Sequence, residues 1–410
     1  MAGWSQFFAD LPMSTSEITL PPTLSTDAPR RRRWMFVIVP IGVLLIAFFI
    51  VAAIVTIPYD ELVPGQAVAV SSLISVPPGK GHRLHGQVLL TDVGLIQNLR
   101  LIALLPAWLN SDNTLVRTAE LTGNLPQAEE DEQGTVDMAE SQLTANAVAL
   151  RQLGYRVPEH DAGATVYALA PGTPGYKVLT VGDVITSVDS VPTPTNAALV
   201  DAVRSHAPGQ TVTLRVGSIA HPTQGHNVSL RLGSGRLPGK TIHRDGKTVH
   251  LLGKKVALVG IVSMGTQPVY DLPFQIKINS DQIGGPSAGL AWTLGIINSL
   301  SGGHVTGGRT VAASGTIDPN GAVGDVGGVA QKTVAVERAG ATVFLVPDQE
   351  LAVARSKATP NLKVYGVSSL AQAMRDLQTL GGRLGSAAAG PPPGPDGHSV
   401  PYDWQGSPWS

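Results

Sequence analysis

Cysteine is missing from all 410 residues of the chain, which excludes disulfide bridges, thiolate zinc sites and a cysteine nucleophile. An excess of one charge sign is missing too, because 29 Lys and Arg stand against 30 Asp and Glu. A net charge of −1 argues against a nucleic-acid partner, whose phosphates are bound mainly by Lys and Arg. Charged residues make up only 14% of the chain and hydrophobic residues 43%. Most of the chain can therefore bury a core, and its length predicts two or three domains at ~150 residues each.

The sequence also has few potential metal ligands close enough together to bind one ion. The ten histidines are scattered, and His82 with His85 is the only close pair. Zinc sites need three or four ligands. The sequence therefore predicts no metal site.

A long uncharged run lies near the start of the chain. Residues 34–57 contain no charged side chain and directly follow Arg30, Arg31, Arg32 and Arg33. As a helix this run would measure about 36 Å, which is enough to cross the ~30 Å hydrocarbon core of a bilayer. A cleavable signal peptide would have a shorter apolar region of about 7–15 residues. We predict a single-pass anchor in the cell membrane, with residues 1–33 cytoplasmic and the rest extracytoplasmic.

The region 58–155 follows the anchor. Short apolar stretches occur at 66–70 and 87–93, and the acidic run at 129–134 predicts a solvated loop. Helical spacing from Met138 to Leu153 predicts a helix that ends at Gly154. We expect this part to be a juxtamembrane region distinct from the modules that follow.

Strand patterns dominate from 164 to 232. Apolar and polar residues alternate at 212–216 and 228–232, which predicts a hairpin around the loop 217–227. Before them, residues 179–189 read LTVGDVITSVD. This segment resembles the L-x-x-G-D-V-I-x-x-V-D/N-G signature of PDZ domains, especially those attached to bacterial proteases, with Ser190 in place of the final glycine. The resemblance covers residues 156–233 and implies a helix at 195–205 and a groove that binds an extended peptide or a C-terminus.

Two short motifs resemble sites of other enzyme classes, but the residues around them do not fit those sites. Residues 234–241 nearly match a phosphate-binding loop, but Pro238 removes a backbone N–H and no apolar strand leads into the segment. Residues 285–289 match the G-x-S-x-G nucleophile elbow, which needs an acidic residue and then a histidine downstream. His304 precedes the downstream aspartates, and His398 lies in the Pro-rich tail. We therefore predict neither an NTPase nor a histidine-activated hydrolase.

Ser287 remains as a candidate nucleophile. It follows Pro286 and opens the apolar run 288–300, which predicts a buried helix with proline in its first turn. A serine there points at free backbone N–H groups and the positive end of the helix dipole, which favours an oxyanion. The neighbouring glycines allow close approach of a substrate backbone. Locally, a serine that only caps the helix explains the same residues, so both interpretations stay open at this point.

A second group of motifs follows in a recognisable order. Ser314 lies in the segment ASGTI, residues 321–328 read GAVGDVGG, a helix-like run at 329–340 contains Lys332, and an apolar strand covers 341–347. With Gly-Pro-Ser-Ala-Gly around Ser287 and Gly-Gly-x-x-x-Lys 45 residues later, residues 250–375 resemble the proteolytic domain of Lon-type Ser–Lys peptidases.

The resemblance implies roles for individual residues. Ser287 would be the nucleophile and Lys332 the general base, while Ser314 stands where the family commonly has a threonine that hydrogen-bonds the lysine. Gly285 stands where many members have aspartate. The layout resembles membrane-anchored bacterial PDZ–Lon peptidases, which work without ATP, so no cofactor is expected. Lon-type domains often assemble into rings, which leaves a homo-oligomer open.

Three further expectations concern the reaction and the substrate. Lys332 must be neutral to accept a proton, and burial can lower its pKa from ~10.4 by several units. Pro286 has no N–H, so the amide of Ser287 and one from the loop Gly284–Gly285 are the expected oxyanion donors. Alternating residues at Phe274–Asn279 predict a strand that pairs with an extended substrate.

The sequence therefore predicts an α+β fold. The expected parts are a cytoplasmic segment 1–33, a transmembrane helix 34–57, a juxtamembrane region 58–155, a PDZ-like domain 156–233, a linker 234–249, a Lon-type domain 250–385 and a disordered tail 386–410. The predicted activity is that of a serine endopeptidase acting on proteins or peptides. Two alternatives stay open, namely an inert adaptor that presents client proteins at the membrane and an acyltransferase or esterase that uses the same dyad.

Overall fold

The computed structural model describes residues 31–122, 127–237, 240–244, 247–251, 253–280 and 283–385. The predicted tail and residues 1–30 of the predicted cytoplasmic segment lie outside the described residues. The helices are α1 Arg31–Ile54, α2 Leu104–Leu109, α3 Thr118–Thr122, α4 Gln127–Gln152, α5 Asn196–Arg204, α6 Gly289–Leu300, α7 Val329–Arg338, α8 Leu351–Lys357 and α9 Leu370–Thr379.

The strands are short and numerous. In chain order they are β1 Tyr59–Ala69, β2 Ile74–Ser75, β3 Gln87–Ile96, β4 Thr114–Arg117, β5 Glu159–Leu169, β6 Asp183–Val188, β7 Val191–Pro192, β8 Thr211–Ser218, β9 His226–Arg231, β10 Gly233–Arg236, β11 Lys240–Arg244, β12 Lys247–Leu251, β13 Lys255–Leu258, β14 Ile261–Tyr270, β15 Lys277–Ile278, β16 Thr310–Ala313, β17 Thr316–Ile317, β18 Val323–Gly324, β19 Val343–Pro347 and β20 Lys363–Val367.

The apolar run near the start of the chain forms helix α1. Its segment Phe36–Ile54, 19 residues long, is long and apolar enough to cross a membrane by length and composition. The helix ends three residues before the predicted end at position 57. The chain from Thr56 onwards forms a second compact unit.

One six-stranded sheet joins residues from both ends of that second unit. Its strand order is β20-β19-β16-β3-β1-β4. Strands β20, β19, β16 and β3 run parallel to one another, whereas β1 is antiparallel to both β3 and β4. The expectation of a distinct region at 58–155 is therefore wrong for β1, β3 and β4. Strand pairing over more than 200 residues of separation leaves no local pattern, so the sequence could not reveal it.

Helices α4 and α6 pack together over this sheet. All twelve residues of α6 are buried, as expected for a helix that is apolar on every side. Helix α4 contributes Ala145, Val148 and Leu150 to the same core. The predicted acidic loop at 129–134 is helical instead, since α4 begins at Gln127. Glu and Gln are good helix formers, and acidic residues are favourable in a first helical turn.

A second sheet forms the PDZ-like part. Its strand order is β14-β5-β6-β8-β9, with β7 paired to β6. The predicted hairpin is confirmed by β8 and β9, and the helix implied for 195–205 is confirmed by α5. Strand β14 was expected in the Lon-type domain, but it pairs with β5 and forms the edge of this sheet. The predicted linker also differs, because β10 pairs with β13 and β11 with β12.

The turn between β6 and β7 contains Ser190, which stands where the signature has glycine. Asp189 and Ser190 both have a positive φ, of 47° and 68°. The Asp189 side chain accepts a hydrogen bond from the Thr213 N–H at 2.7 Å and lies 3.1 Å from Nε2 of His206. These contacts hold a turn that glycine would otherwise favour.

Candidate active site

Ser287 lies in a single 3₁₀ turn, Pro286–Ala288, that leads into α6. The turn is preceded by Gly285, whose φ of 83° and ψ of 158° suit glycine almost alone. The side chain of Ser287 does not occupy a cap position of this turn or of α6, since those positions belong to Gly285 and Ala288. Its hydroxyl instead meets the lysine of α7.

Lys332 lies one turn into α7 and is 3% exposed. Its Nζ donates to the Oγ of Ser287 at 2.9 Å and to the Oγ of Ser314 at 3.2 Å. Ser314 follows β16 directly and is fully buried. The structure thus brings together all three side chains that the sequence singled out, although α6, β16 and α7 are separate elements.

Burial also changes the acidity of the lysine. Removal of the ammonium group from water lowers the pKa of Lys332 to about 8, against the opposing effects of Asp92 and Glu350. The neutral form is therefore a minor fraction at pH 7, but a far larger one than for an exposed lysine with the ordinary pKa of 10.5. Neutral Lys332, 2.9 Å from a hydroxyl, has the geometry of a general base.

Asp92 and Glu350 are charged groups that the sequence analysis missed. Asp92 lies in β3, whereas Glu350 lies just before α8 and accepts a hydrogen bond from the N–H of Val326 at 3.1 Å. The other carboxylate oxygen of Glu350 is buried without a hydrogen-bond partner among the described residues. Both carboxylates raise the pKa of Lys332 and limit how far burial lowers it. No sequence motif marks either residue, because both reach the lysine only through the fold.

Helix α4 holds the loop before Ser287. The N–H of Gly285 donates to the carbonyl of Gly134 at 2.9 Å, and the Oγ of Ser141 donates to the carbonyl of Pro286 at 3.2 Å. The amide of Gly285 is therefore engaged, whereas the expectation was that either Gly284 or Gly285 supplies one oxyanion donor. Gly284 remains as the predicted donor of that loop. The amide of Ser287 makes no backbone hydrogen bond within the part of the chain that the structure describes.

The predicted substrate strand is shorter than expected. Only Lys277–Ile278 of the segment 274–279 is a strand, and it pairs with β2. Ile276 and Ile278 are buried in the core, while the aromatic ring of Phe274 packs at its edge against Tyr155. Core packing, rather than an open edge, explains the alternating pattern here.

The remaining sequence motifs stay apart from this site. No group of three or more metal-ligating side chains occurs among the residues with described positions. The imidazole of His85 stacks on that of His304 with 4.2 Å between ring centroids. Ser234–Arg236 belongs to β10, so the phosphate-loop resemblance falls partly on a strand.

A separate apolar cavity lies in the PDZ-like part. It measures about 430 Å³ and is lined by α5, by the edge strand β14 and by the paired strands β10 and β13. Leu199 and Val203 of α5 face Val262 and Met264 of β14 across it, and Arg204 is also in its lining. An open edge strand beside an apolar groove can accept one more strand.

Comparisons with known proteins agree with these two parts. Residues 152–217 match the family model of the PDZ domain, and residues 280–376 match that of the Lon protease (S16) C-terminal proteolytic domain. A Lon protease of Chloroflexus aggregans (strain MD-66 / DSM 9485) is 33% identical over 93 residues, which are 22% of this chain and 11% of that protein. The matched part thus covers about a tenth of the length of that relative.

Two solved structures are also similar. The PDZ domain of the SdrC-like protein from Listeria monocytogenes has 21% identity, with coverage of 25% of this chain and 86% of that one and a TM-score of 0.18. The second domain of a Listeria protein has 22% identity, with coverage of 23% and 83% and a TM-score of 0.15. At the domain level, the two family matches show that this chain contains a PDZ domain and a Lon-type proteolytic domain.

Proposed function

We propose that the chain is a membrane-anchored serine endopeptidase that uses Ser287 and Lys332 as a catalytic dyad. The contact that carries this proposal is the 2.9 Å hydrogen bond between Lys332 Nζ and Ser287 Oγ. It joins a buried lysine of lowered pKa to a serine at the start of a helix, within the segment that matches the Lon proteolytic domain.

The reaction follows from the protonation states. Neutral Lys332 accepts the proton of the Ser287 hydroxyl while Oγ attacks the carbonyl carbon of a peptide bond. The resulting ammonium returns that proton to the leaving amine, and an ester links the acyl part to Ser287. Lys332 then removes a proton from water, which attacks the ester carbonyl. The ammonium passes that proton to the departing Oγ of Ser287, so the carboxylic acid leaves and serine and neutral lysine are restored. The N–H groups of Ser287 and Gly284 are the proposed donors to the oxyanion.

Ser314 is proposed to hold the lysine in place. Its Oγ lies 3.2 Å from Nζ. The next residue in the chain, Gly315, donates its backbone N–H to the carbonyl of Ser287 at 2.9 Å. The two serines are therefore linked through both side chain and backbone.

The other parts of the chain supply location and recognition. Helix α1 is proposed as a single-pass anchor, with the four arginines at 30–33 on the cytoplasmic side and the catalytic domain outside. The groove between α5 and β14 is proposed to bind the C-terminus of a client as an added strand, with Arg204 available to its carboxylate.

The dyad is tested by replacing Lys332 with arginine and with alanine in the full-length chain in detergent. Arginine keeps the charge but has a pKa above ~12, so it cannot accept the proton. We expect both variants to lose kcat by about 10²–10⁴-fold on an unfolded protein substrate, assayed without ATP. Circular dichroism checks that each variant is folded. Most of the rate remaining in a folded Lys332→Arg protein would contradict the dyad.

A serine-reactive fluorophosphonate probe separates the three candidate functions. The proposed peptidase is labelled in the wild type and not in Ser287→Ala, and it cleaves unfolded protein. An inert adaptor is not labelled. An esterase is labelled but leaves protein substrates intact.

The groove is tested by the substitution Val262→Glu. Val262 is 69% exposed, so the change leaves the core intact and adds a negative charge to the lining of the groove that is proposed to hold the carboxylate. We expect weaker binding of peptides with a free C-terminus, measured by fluorescence anisotropy, and unchanged cleavage of short peptides. Val191→Glu is the matched control, because Val191 is 59% exposed and outside the groove. Equal binding by both variants would contradict peptide recognition at this groove.

A further inference from the structure

An exposed apolar patch lies on α2 and the 3₁₀ turn before it. The patch consists of Ile102, Leu105, Trp108 and Leu109, which are 42%, 62%, 72% and 68% exposed. Ala107 of the same helix is buried, so α2 has one face towards the protein and one towards its surroundings. We call these four side chains the α2 patch.

The α2 patch is unusual within this chain. Outside α1, five large apolar side chains of the described residues are more than half exposed, and three of them are in this patch. The other two, Val191 and Val262, lie in the PDZ domain. No charged residue occurs between Arg100 and Asp112. Contiguous exposed apolar surface of this kind marks an interaction site.

Backbone pairing connects the patch to the point where the chain leaves α1. Helix α1 ends at Ile54, and Thr56, two residues later, forms an antiparallel bridge with Arg100. The N–H of Ile57 donates to the carbonyl of Leu99 at 2.9 Å. Two residues span at most about 7 Å, so the start of the patch stays close to the end of α1 in any arrangement of the two units.

We propose that the α2 patch inserts into the outer interface of the lipid bilayer, beside the exit of the proposed span. This inference rests on the proposed anchor, since only a membrane-spanning α1 brings lipid to this position. Trp is enriched at membrane interfaces, where its ring contacts the acyl chains and its N–H remains hydrogen-bonded to water. Exposed Arg100, at the edge of the patch, is available to lipid phosphates.

The size of the patch favours lipid over a second protein surface. Four side chains at these exposures offer on the order of 500 Å², below the ~800 Å² per partner of a standard protein interface. A bilayer needs no matching shape, and a short amphipathic segment next to a span binds it without a diffusional search. The consequence is a second membrane attachment that fixes how the catalytic unit lies on the bilayer.

The absence of cysteine allows a direct test in the full-length chain. Leu105→Cys and Leu109→Cys are each labelled with the environment-sensitive fluorophore NBD and reconstituted in nanodiscs of phosphatidylcholine and phosphatidylglycerol. Some lipids carry a nitroxide quencher near the headgroup. Val191→Cys is the control for an exposed site outside the patch, and Ile46→Cys reports on the span itself.

We expect the shallow nitroxide to quench labels at 105 and 109 at least twofold more than the label at 191. Labels at 105 and 109 that are not quenched by lipid nitroxides overturn the proposal. If aqueous iodide then quenches these labels, the α2 patch is exposed to water. If iodide does not quench them, another protein surface covers the patch. A label at 46 that deep nitroxides do not quench instead contradicts the anchor, which separates the failure of the proposed span from failure of the patch.

Discussion

Lys332 combines two properties that conflict in an ordinary side chain. It is almost fully buried, yet among the described residues its Nζ contacts two hydroxyl groups, those of Ser287 and Ser314, and no carboxylate is bound to it there. Burial disfavours the ammonium form, whereas Asp92 and Glu350 favour it at longer range. The balance leaves a base that titrates near pH 8, which is close to the value that general-base catalysis needs.

Asp92→Asn tests this balance. Removal of a negative charge lowers the pKa of Lys332 further, so we expect the alkaline rise of kcat/KM to move to lower pH by about half a unit. Asparagine keeps an oxygen to accept from the Gln66 N–H, which Asp92 Oδ1 does in the wild type. The measurement is the pH profile of kcat/KM on a short peptide.

Asp112→Asn serves as the control for Asp92→Asn. Asp112 pairs with Arg338 of α7 at 2.8 Å on the surface and does not affect the pKa of Lys332. Its profile should coincide with that of the wild type. A profile of Asp92→Asn that stays in place or moves to higher pH contradicts the assigned role of the carboxylate.

At the scale of elements, α4 links the PDZ domain to the nucleophile loop. Gly134 and Ser141 of this helix bind the backbone around Pro286. One residue before Ser141, Glu140 accepts a hydrogen bond from the hydroxyl of Tyr167 in β5, at 2.9 Å. Adjacent faces of one helix thus contact the loop before Ser287 and the PDZ domain.

Glu140 makes the contact between α4 and β5 sensitive to pH. Burial raises the pKa of Glu140 to about 7, with a further contribution from Asp137 and opposition from the Tyr167 hydrogen bond. The unfolded chain releases this proton near the ordinary value of 4.5, so stability falls as pH rises from there through 7. The expected loss is about 1–3 kcal/mol, from 1.36 kcal/mol per pKa unit reduced for partial exposure.

Glu140→Gln should remove this part of the pH dependence. We expect the Tm of the wild type to fall more steeply between pH 5 and pH 8 than the Tm of the variant, followed by differential scanning fluorimetry. Glu159→Gln is the control, since Glu159 forms a half-exposed ion pair with Arg151 at the other end of α4. Parallel curves for wild type and Glu140→Gln would refute the assignment.

At the scale of the whole molecule, the two domains are interleaved along the chain. Strands β1, β3 and β4 precede the PDZ domain but complete the sheet that carries β16 and β19. Strand β14 follows the predicted linker 234–249 along the chain and forms the edge of the PDZ sheet. The chain then continues to the loop before Ser287. The PDZ domain is therefore an insertion within the catalytic unit rather than a module that precedes it.

This arrangement predicts that residues 250–385 do not fold alone. Without β3 the edge of β16 is unpaired and α6 loses the packing of α4, so an aggregation-prone sheet edge is left. We expect fragment 250–385 to lack dispersed amide signals in NMR spectra, whereas fragment 56–385 has them. A dispersed spectrum from the shorter fragment would contradict the shared sheet.

The sequence by itself determined the local features of this protein. A charge-free run specifies α1, an apolar run after Gly-Gly-Pro-Ser specifies α6, and alternation specifies the hairpin β8–β9, because each pattern depends on neighbours a few residues apart. The motifs around Ser287 and Lys332 led to the predicted dyad through their resemblance to Lon-type peptidases, because the local pattern at Ser287 also fits a helix cap. Only the tertiary structure decided that β1, β3 and β4 share a sheet with β16 and that β14 belongs to the PDZ sheet. It also decided that Asp92 and Glu350 raise the pKa of Lys332. Those relations depend on burial and strand register across hundreds of residues, for which one sequence carries no periodic signal.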